Sequence, residues 1–362
     1  MAEDAIKIKP FTETAIPRLG LRKFAFVFLL AVVVAFFLAE LTIGVVKIPL
    51  AQIIAALFGG QVARETWARI VIDLRLPRAL TALFAGGALG ASGLMMQTLF
   101  RNPLASPWTL GMAAGSSLGV AFLVVIAGAT SATAFLRFNA LGDLSLAAAA
   151  ALGCTLTMAA ILAVSKRVST VTLLIVGLMT HYFIEGVVSV LLHLTDETQI
   201  RVYSGWNDGN FSNVTWAQMK ILAPIVSIGL VISLSLVKPL NALLLGEGYA
   251  RTLGLTVGRA RLWAFAATAA LAGVVTAYCG PVVFLGVAIP HLARGIFNNS
   301  DHRVLMPASI LIGAMLGLAA DLVTHLDWGF HVFHLNTVNA LIGAPVVMWV
   351  ILRRKNSRSL EL

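Results

Sequence analysis

Charge is scarce in this 362-residue sequence: Asp, Glu, Lys and Arg together supply 12% of it, against about 25% in an ordinary soluble domain. A chain so poor in charge, 59% hydrophobic and with a mean hydropathy of +0.91, lacks the polar surface that a water-soluble globular fold needs. Cysteine is almost missing. Cys154 and Cys279 fall in two separate apolar stretches, which excludes a disulfide framework and any zinc-finger spacing and leaves both as small packing residues. There is no Gly-x4-Gly-Lys-Ser/Thr loop to cradle nucleotide phosphates and no His-Glu-x-x-His pair. The chain is therefore expected not to be an enzyme, to carry no catalytic residue, and to bind no metal or cofactor of its own.

What the sequence has instead is long apolar runs. A helix takes about 20 mostly apolar residues to cross a bilayer, and ten such runs are centred near Val33, Ala88, Ser117, Leu152, Met179, Gly229, Ala270, Ala288, Gly313 and Val346. The connections between them are short, so no separate soluble domain is expected. The sequence predicts an all-α polytopic membrane protein: a leading segment 1–23, a ten-helix unit 24–352 and a basic tail 353–362. Lys7, Lys9, Arg18, Arg22 and Lys23 precede the first run, which ends at Glu40-Leu-Thr42 without a small-residue cleavage site. That pattern reads as a retained first helix and not as a removed signal.

The formal net charge of +10 is not gathered into an aromatic-studded patch, so nucleic acid is not an expected partner. The basic residues lie between apolar runs. With ten crossings, the N-terminal group, Arg101, Lys166, Arg167, Lys238, Arg251, Arg259, Arg261, Arg294, Arg303 and the tail residues Arg353, Arg354, Lys355 and Arg358 fall on one side. The positive-inside rule makes that side the cytoplasm and places both termini there. Residues 44–78 break the trend, with Lys47, Arg64, Arg69, Arg75 and Arg78 on the outer side.

Several stretches carry more than span-forming composition. The second run holds Gly86, Gly87, Gly90, Ala91, Ser92 and Gly93, small residues that let helix backbones approach in lipid, and is expected to be surrounded by other helices. The eighth is interrupted by Gly280-Pro281 and by Pro290. The loop from Lys238 to Arg261 begins at Pro239, is punctuated by Gly254 and Gly258, and spaces Leu243, Leu244, Tyr249, Ala250 and Leu253 as a short surface helix would. Such a helix either rests on lipid headgroups or docks a partner. Ionisable groups within spans are functional candidates because each is costly in hydrocarbon. His181 and Glu185, one helical turn apart, leave three readings open: a structural pair, lining of a polar pathway, or proton or metal chemistry. Asp321 stands beside Thr324 and His325 near the end of the ninth run.

Taken together, Arg75-Leu-Pro-Arg-Ala-Leu80, Gly86 to Gln97, Phe100-Arg-Asn-Pro-Leu-Ala105, Leu245 to Leu255, Gly280 to Arg294 with Ser300-Asp-His-Arg303, and Ala340-Leu-Ile-Gly-Ala-Pro345 resemble the FecCD-type permeases. These serve ABC importers of iron-siderophores, haem and cobalamin. The resemblance runs from about residue 20 to 355. It implies the type II ABC importer fold of about ten transmembrane helices, in a bacterial inner membrane. It also implies a second permease chain, two cytoplasmic ATP-binding subunits that use ATP and Mg, and a periplasmic or lipid-anchored binding protein.

Residue by residue, the resemblance makes 243–255 the coupling segment that contacts the ATPase, through Leu245, Gly246, Glu247, Ala250, Arg251, Leu253 and Gly254. It makes Arg75 and Arg78 outward-facing docking residues for the binding protein, with His325 where the family has a further arginine. Gly93, Gln97, His181, Tyr182, Glu185 and Pro281 are the candidates for lining the pathway. His331 and His334 add polarity to the outer face, and Phe333-His-Leu-Asn336 replaces the family's Leu-Pro-x-Gly lead-in to the last helix. The expected cargo is a ferric siderophore. Haem or cobalamin is the alternative within transport, and a proton-coupled secondary transporter using His181 and Glu185 is the more distant one.

Overall fold

The computed structural model describes residues 19–129, 132–165, 167–326 and 333–358, and the regular elements among them are all helical. Helix α1 (Leu19–Thr42) is followed by the short α2 (Leu50–Leu57) and α3 (Glu65–Arg69). A π-helical turn over Ile70–Arg75 then joins α3 to α4 (Leu76–Phe100), so that Glu65–Phe100 forms one helical stretch of 36 residues. Next come α5 (Met112–Ala129), α6 (Ala132–Ser165), α7 (Thr170–His193), α8 (Glu197–Asn207) and α9 (Trp216–Ser235). Two short helices, α10 (Val237–Leu244) and α11 (Glu247–Thr252), precede α12 (Val257–Cys279), α13 (Leu285–Phe297), α14 (His302–Thr324) and α15 (Leu335–Arg358).

Seven of these helical stretches are long and apolar enough to cross a membrane, and three shorter apolar stretches lie at Met112–Ala127, Leu285–Phe297 and Leu335–Met348. Each run centre read from the sequence falls in one of them. The brevity of α13 follows from its flanks: Phe284 precedes it at φ 67° and Asn298 ends it at φ 42°. Residues 1–18 and 359–362 lie outside the described residues.

Helix α4 is the hub. Of its apolar window 83% is buried, against 22% for α1 and 28% for α7, and it packs on α14, α12, α13 and α9. The cause is the small-residue stripe. A Cβ at Gly86 would overlap the carbonyl oxygen of Gly313 on α14, and one at Gly93 would overlap the carbonyl oxygen of Gly286 on α13. With no hydrophobic driving force between helices in lipid, this backbone contact supplies the packing. Gly86→Ala is accordingly expected to destabilise the chain by the upper part of the roughly 1–3 kcal/mol typical of overpacking. Gly205→Ala in α8, where a Cβ meets nothing within 4 Å, is expected to leave thermal stability unchanged or slightly raised. Melting of the two purified variants in detergent checks the contrast.

Candidate functional site

The polar side chains gather at the two ends of α4. At the Arg78 end, the guanidinium of Arg75 donates to the carbonyls of Leu41 (2.7 Å), Thr42 (3.1 Å) and Val46 (2.5 Å), where α1 ends and leaves carbonyls without helical partners. Arg78 ties three helices. Its Nη2 lies 2.9 Å from Glu40 Oε1 on α1, and its Nε lies 2.7 Å from Asp321 Oδ2 on α14. Both carboxylates are buried. Thr324 Oγ1 donates to the Asp321 carbonyl at 2.6 Å, and His325 places Nδ1 3.6 Å from Asp321 Oδ1 and Nε2 3.3 Å from Ser212 Oγ.

In the isolated chain the side chains of Arg75 and Arg78 both turn inward and are largely buried. The physical reason is the pair of carboxylates. A pair of buried carboxyl groups gains from a counter-charge, and Arg78 supplies it, while Arg75 caps α1. His325 alone of the three docking candidates keeps substantial exposure. Donor atoms of Glu40, Asp321 and His325 come within 4.8 Å of one another. The guanidinium of Arg78 already occupies the cation position between the two carboxylates, so the arrangement is an ion-pair cluster.

At the other end, Arg101 closes α4 in the left-handed conformation and donates to the Leu243 carbonyl of α10 at 3.2 Å. The coupling candidates divide into an inner and an outer set. Ala250 is fully buried, and Glu247 pairs with Arg261 of α12 and stands 4.0 Å from Arg251. Gly246 (φ 115°) and Gly254 (φ 80°) bracket α11 in backbone conformations that favour glycine. Leu245, Tyr249 and Leu253, four residues apart in sequence, are 65%, 54% and 59% exposed. Behind them a cavity of about 350 Å³ is lined by Thr98, Phe100, Arg101, Leu243, Glu247 and Arg261.

The pathway candidates do not form one surface. Gly93, Gln97 and Pro281 are buried in packing between helices. Gln97 accepts from Arg294 (2.5 Å) and donates to the Val287 carbonyl (3.2 Å), and the Pro281 carbonyl accepts from Asn336 (2.7 Å). His181 turns into the chain with its ring 4.4 Å from that of Trp108, and among the described residues its Nδ1 has no hydrogen-bond partner. Tyr182 is exposed and Glu185 half-buried, both on the sparsely covered α7. Asn336 explains how the altered lead-in to α15 is accommodated. Its amide donates to the carbonyls of Asn207 and Pro281 and accepts from the Val283 N–H, joining the α8 end, the Gly280-Pro281 turn and α15. His334 stands 3.6 Å from Asp208, and His331 lies outside the described residues.

The model of the FecCD transport family matches residues 30–353. The chain belongs to that family. The hemin transport system permease protein HmuU of Yersinia pestis is 31% identical over 292 residues, covering 80% of this chain and 85% of that one. The vitamin B12 import system permease protein BtuC of Klebsiella pneumoniae is 33% identical, with 78% and 82% covered. Among solved structures, a metal-chelate type ABC transporter in an inward-facing conformation superposes with a TM-score of 0.79 at 25% identity, over 91% of this chain and 99% of the other. This FecCD permease is thus the multi-span membrane subunit of an ABC transporter. Sequence reasoning missed Glu40 as the partner of Arg78. Its signal was there: an acidic side chain inside the last turn of an apolar run.

Proposed function

We propose that this FecCD permease is the translocation subunit of an ATP-driven importer for ferric siderophores. It works as a pair with a second permease chain in the bacterial inner membrane. The observation that carries the reading is the exposure of Leu245, Tyr249 and Leu253 at α11 and its two ends, with buried Ala250 and the Glu247–Arg261 pair tying α11 to the chain. These side chains fit a cleft of a cytoplasmic ATPase, which uses ATP and Mg, and the positive-inside pattern puts them on the cytoplasmic side. The opposite end of the bundle, with His325 and His334, then faces a periplasmic or lipid-anchored binding protein. Tyr182 and Glu185, polar groups on the least covered stretch of α7, belong against the second permease and the pathway between the two, because Glu185 facing hydrocarbon would be costly. Cargo affinity resides in the binding protein, and a pathway without a deep well favours release.

The test is uptake of labelled ferric hydroxamate, ferric catecholate, ferric citrate, haem and cobalamin by vesicles holding the permease, ATPase and binding protein. ATP-dependent uptake of a ferric siderophore is expected. Uptake of haem or cobalamin alone would replace the cargo, and uptake driven by a proton gradient without the ATPase would overturn the reading.

A further inference from the structure

His302, the first residue of α14, is buried at a junction of three helices. Its Nε2 lies 2.7 Å from Thr98 Oγ1 on α4, and its Nδ1 lies 2.8 Å from Asn241 Oδ1 on α10. The same Asn241 oxygen accepts the His302 backbone N–H at 2.8 Å, and the Asn241 amide nitrogen donates to Asp301 Oδ1 at 2.6 Å. Asp301 in turn caps α14 by accepting from the Arg303 N–H at 2.8 Å. Burial works against the Asp301 carboxylate, but the bonds from Arg303 and Asn241 outweigh it and hold its pKa below the ordinary value. An ionised Asp301 fixes the amide orientation of Asn241, so that its oxygen faces the imidazole.

That orientation determines the protons. Asn241 Oδ1 can only accept, so His302 Nδ1 carries the hydrogen. In the neutral ring Nε2 is then an acceptor, and the hydrogen of that contact comes from the Thr98 hydroxyl. Thr98 Oγ1 also lies 2.8 Å from the Leu94 carbonyl, one turn back in α4. One hydroxyl proton cannot serve both acceptors fully. Thr98 therefore has a second partner within its own helix whenever the imidazole withdraws, and the junction can open without leaving the hydroxyl donor unmatched. Leu240 and Leu243, on the same helix as Asn241, are buried, so α10 is anchored in the core on the side of this junction. The Arg101 tie to Leu243 runs in parallel but through an exposed side chain.

We propose that His302 is a positioning residue that passes displacement of the α10–α11 segment to α4 and α14, through Asn241 on one ring nitrogen and Thr98 on the other. The proposal rests on α11 being the ATPase contact. Because α4 is the packing hub and α14 carries Asp321 at its far end, a shift entering at His302 reaches both ends of the bundle. A network of this kind earns the name of coupling only by a measured effect on coupling.

The experiment compares wild type, His302→Ala, Thr98→Val and Thr98→Ser in vesicles with the ATPase and binding protein, and reads cargo imported per ATP hydrolysed. Wild-type transport driven by ATP establishes the function on which the proposal rests; its absence would overturn that function first. Given wild-type transport, His302→Ala and Thr98→Val are expected to hydrolyse ATP near the wild-type rate while import per ATP falls about tenfold or more. Thr98→Ser, which keeps the hydroxyl, is expected to stay near wild type. Unchanged import per ATP in Thr98→Val overturns the proposal, and so does an equal fall of hydrolysis and import in step with melting temperature, which marks a merely structural role. If His302→Ala does not assemble, the two Thr98 variants decide alone.

Discussion

Replacing Arg78 by alanine is expected to destabilise the isolated permease by about 3–5 kcal/mol, the cost of leaving a buried charge without its partner. Glu40 and Asp321 are almost fully buried, come from α1 and α14, and both pair with the guanidinium of Arg78. Without it the two carboxylates confront each other at the end of the bundle, and α1 loses its charged tie to α14. Melting of the purified chain in detergent, with no binding protein present, measures the effect. The triple variant Arg78→Ala, Glu40→Gln, Asp321→Asn is expected to recover most of the loss, since neutral amides do not need the counter-charge. If Arg78 served only to dock a binding protein from outside, the melt would stay at the wild-type temperature and only docking affinity would change.

The Arg78 cluster also shows where sequence reasoning reached and where it stopped. The apolar runs were legible because lipid imposes a length and a composition on each helix, and every run centre from Val33 to Val346 falls within an observed helix. The centrality of α4 was legible for a similar reason, as Gly86 and Gly93 make no sense on a helix without close neighbours. Pairing across the chain was not legible. Arg78 and Asp321 are 243 residues apart, and nothing in either local sequence says that the arginine turns inward. The π-helical turn at Ile70–Arg75 has no pattern of its own, yet it sets the direction in which Arg75 and Arg78 leave the helix. His181 and Glu185 were legible as a helical i, i+4 pair, but Trp108, which lies outside that helix, holds the histidine ring inside. Asn336 read as a departure from a motif, and only the fold reveals that its amide joins three segments.

The short helix α11 was legible because its glycines and its apolar spacing are local, and as the proposed ATPase contact it yields the second large effect. Leu245→Ser combined with Leu253→Ser is expected to leave melting of the isolated permease unchanged, since both side chains are mostly exposed and touch little of the chain. In the assembled importer each would lose the burial of one leucine, about 1.5–3 kcal/mol. At 1.4 kcal/mol per tenfold, ATPase affinity is expected to fall by about two orders of magnitude or more. Co-purification of the ATPase and ATP-driven uptake are the two readouts, and both are expected to be lost. If α11 instead rests on lipid headgroups, the double variant would keep its ATPase. Glu247→Arg is a less clean probe of the same contact. It sets an arginine against Arg261 and Arg251, which disturbs the base of α11 as well as any partner upon it. A defect shared by both variants with melting unchanged only in the leucine pair assigns the loss to the exposed leucines, and retention of uptake by the leucine pair would remove the observation on which the importer reading stands.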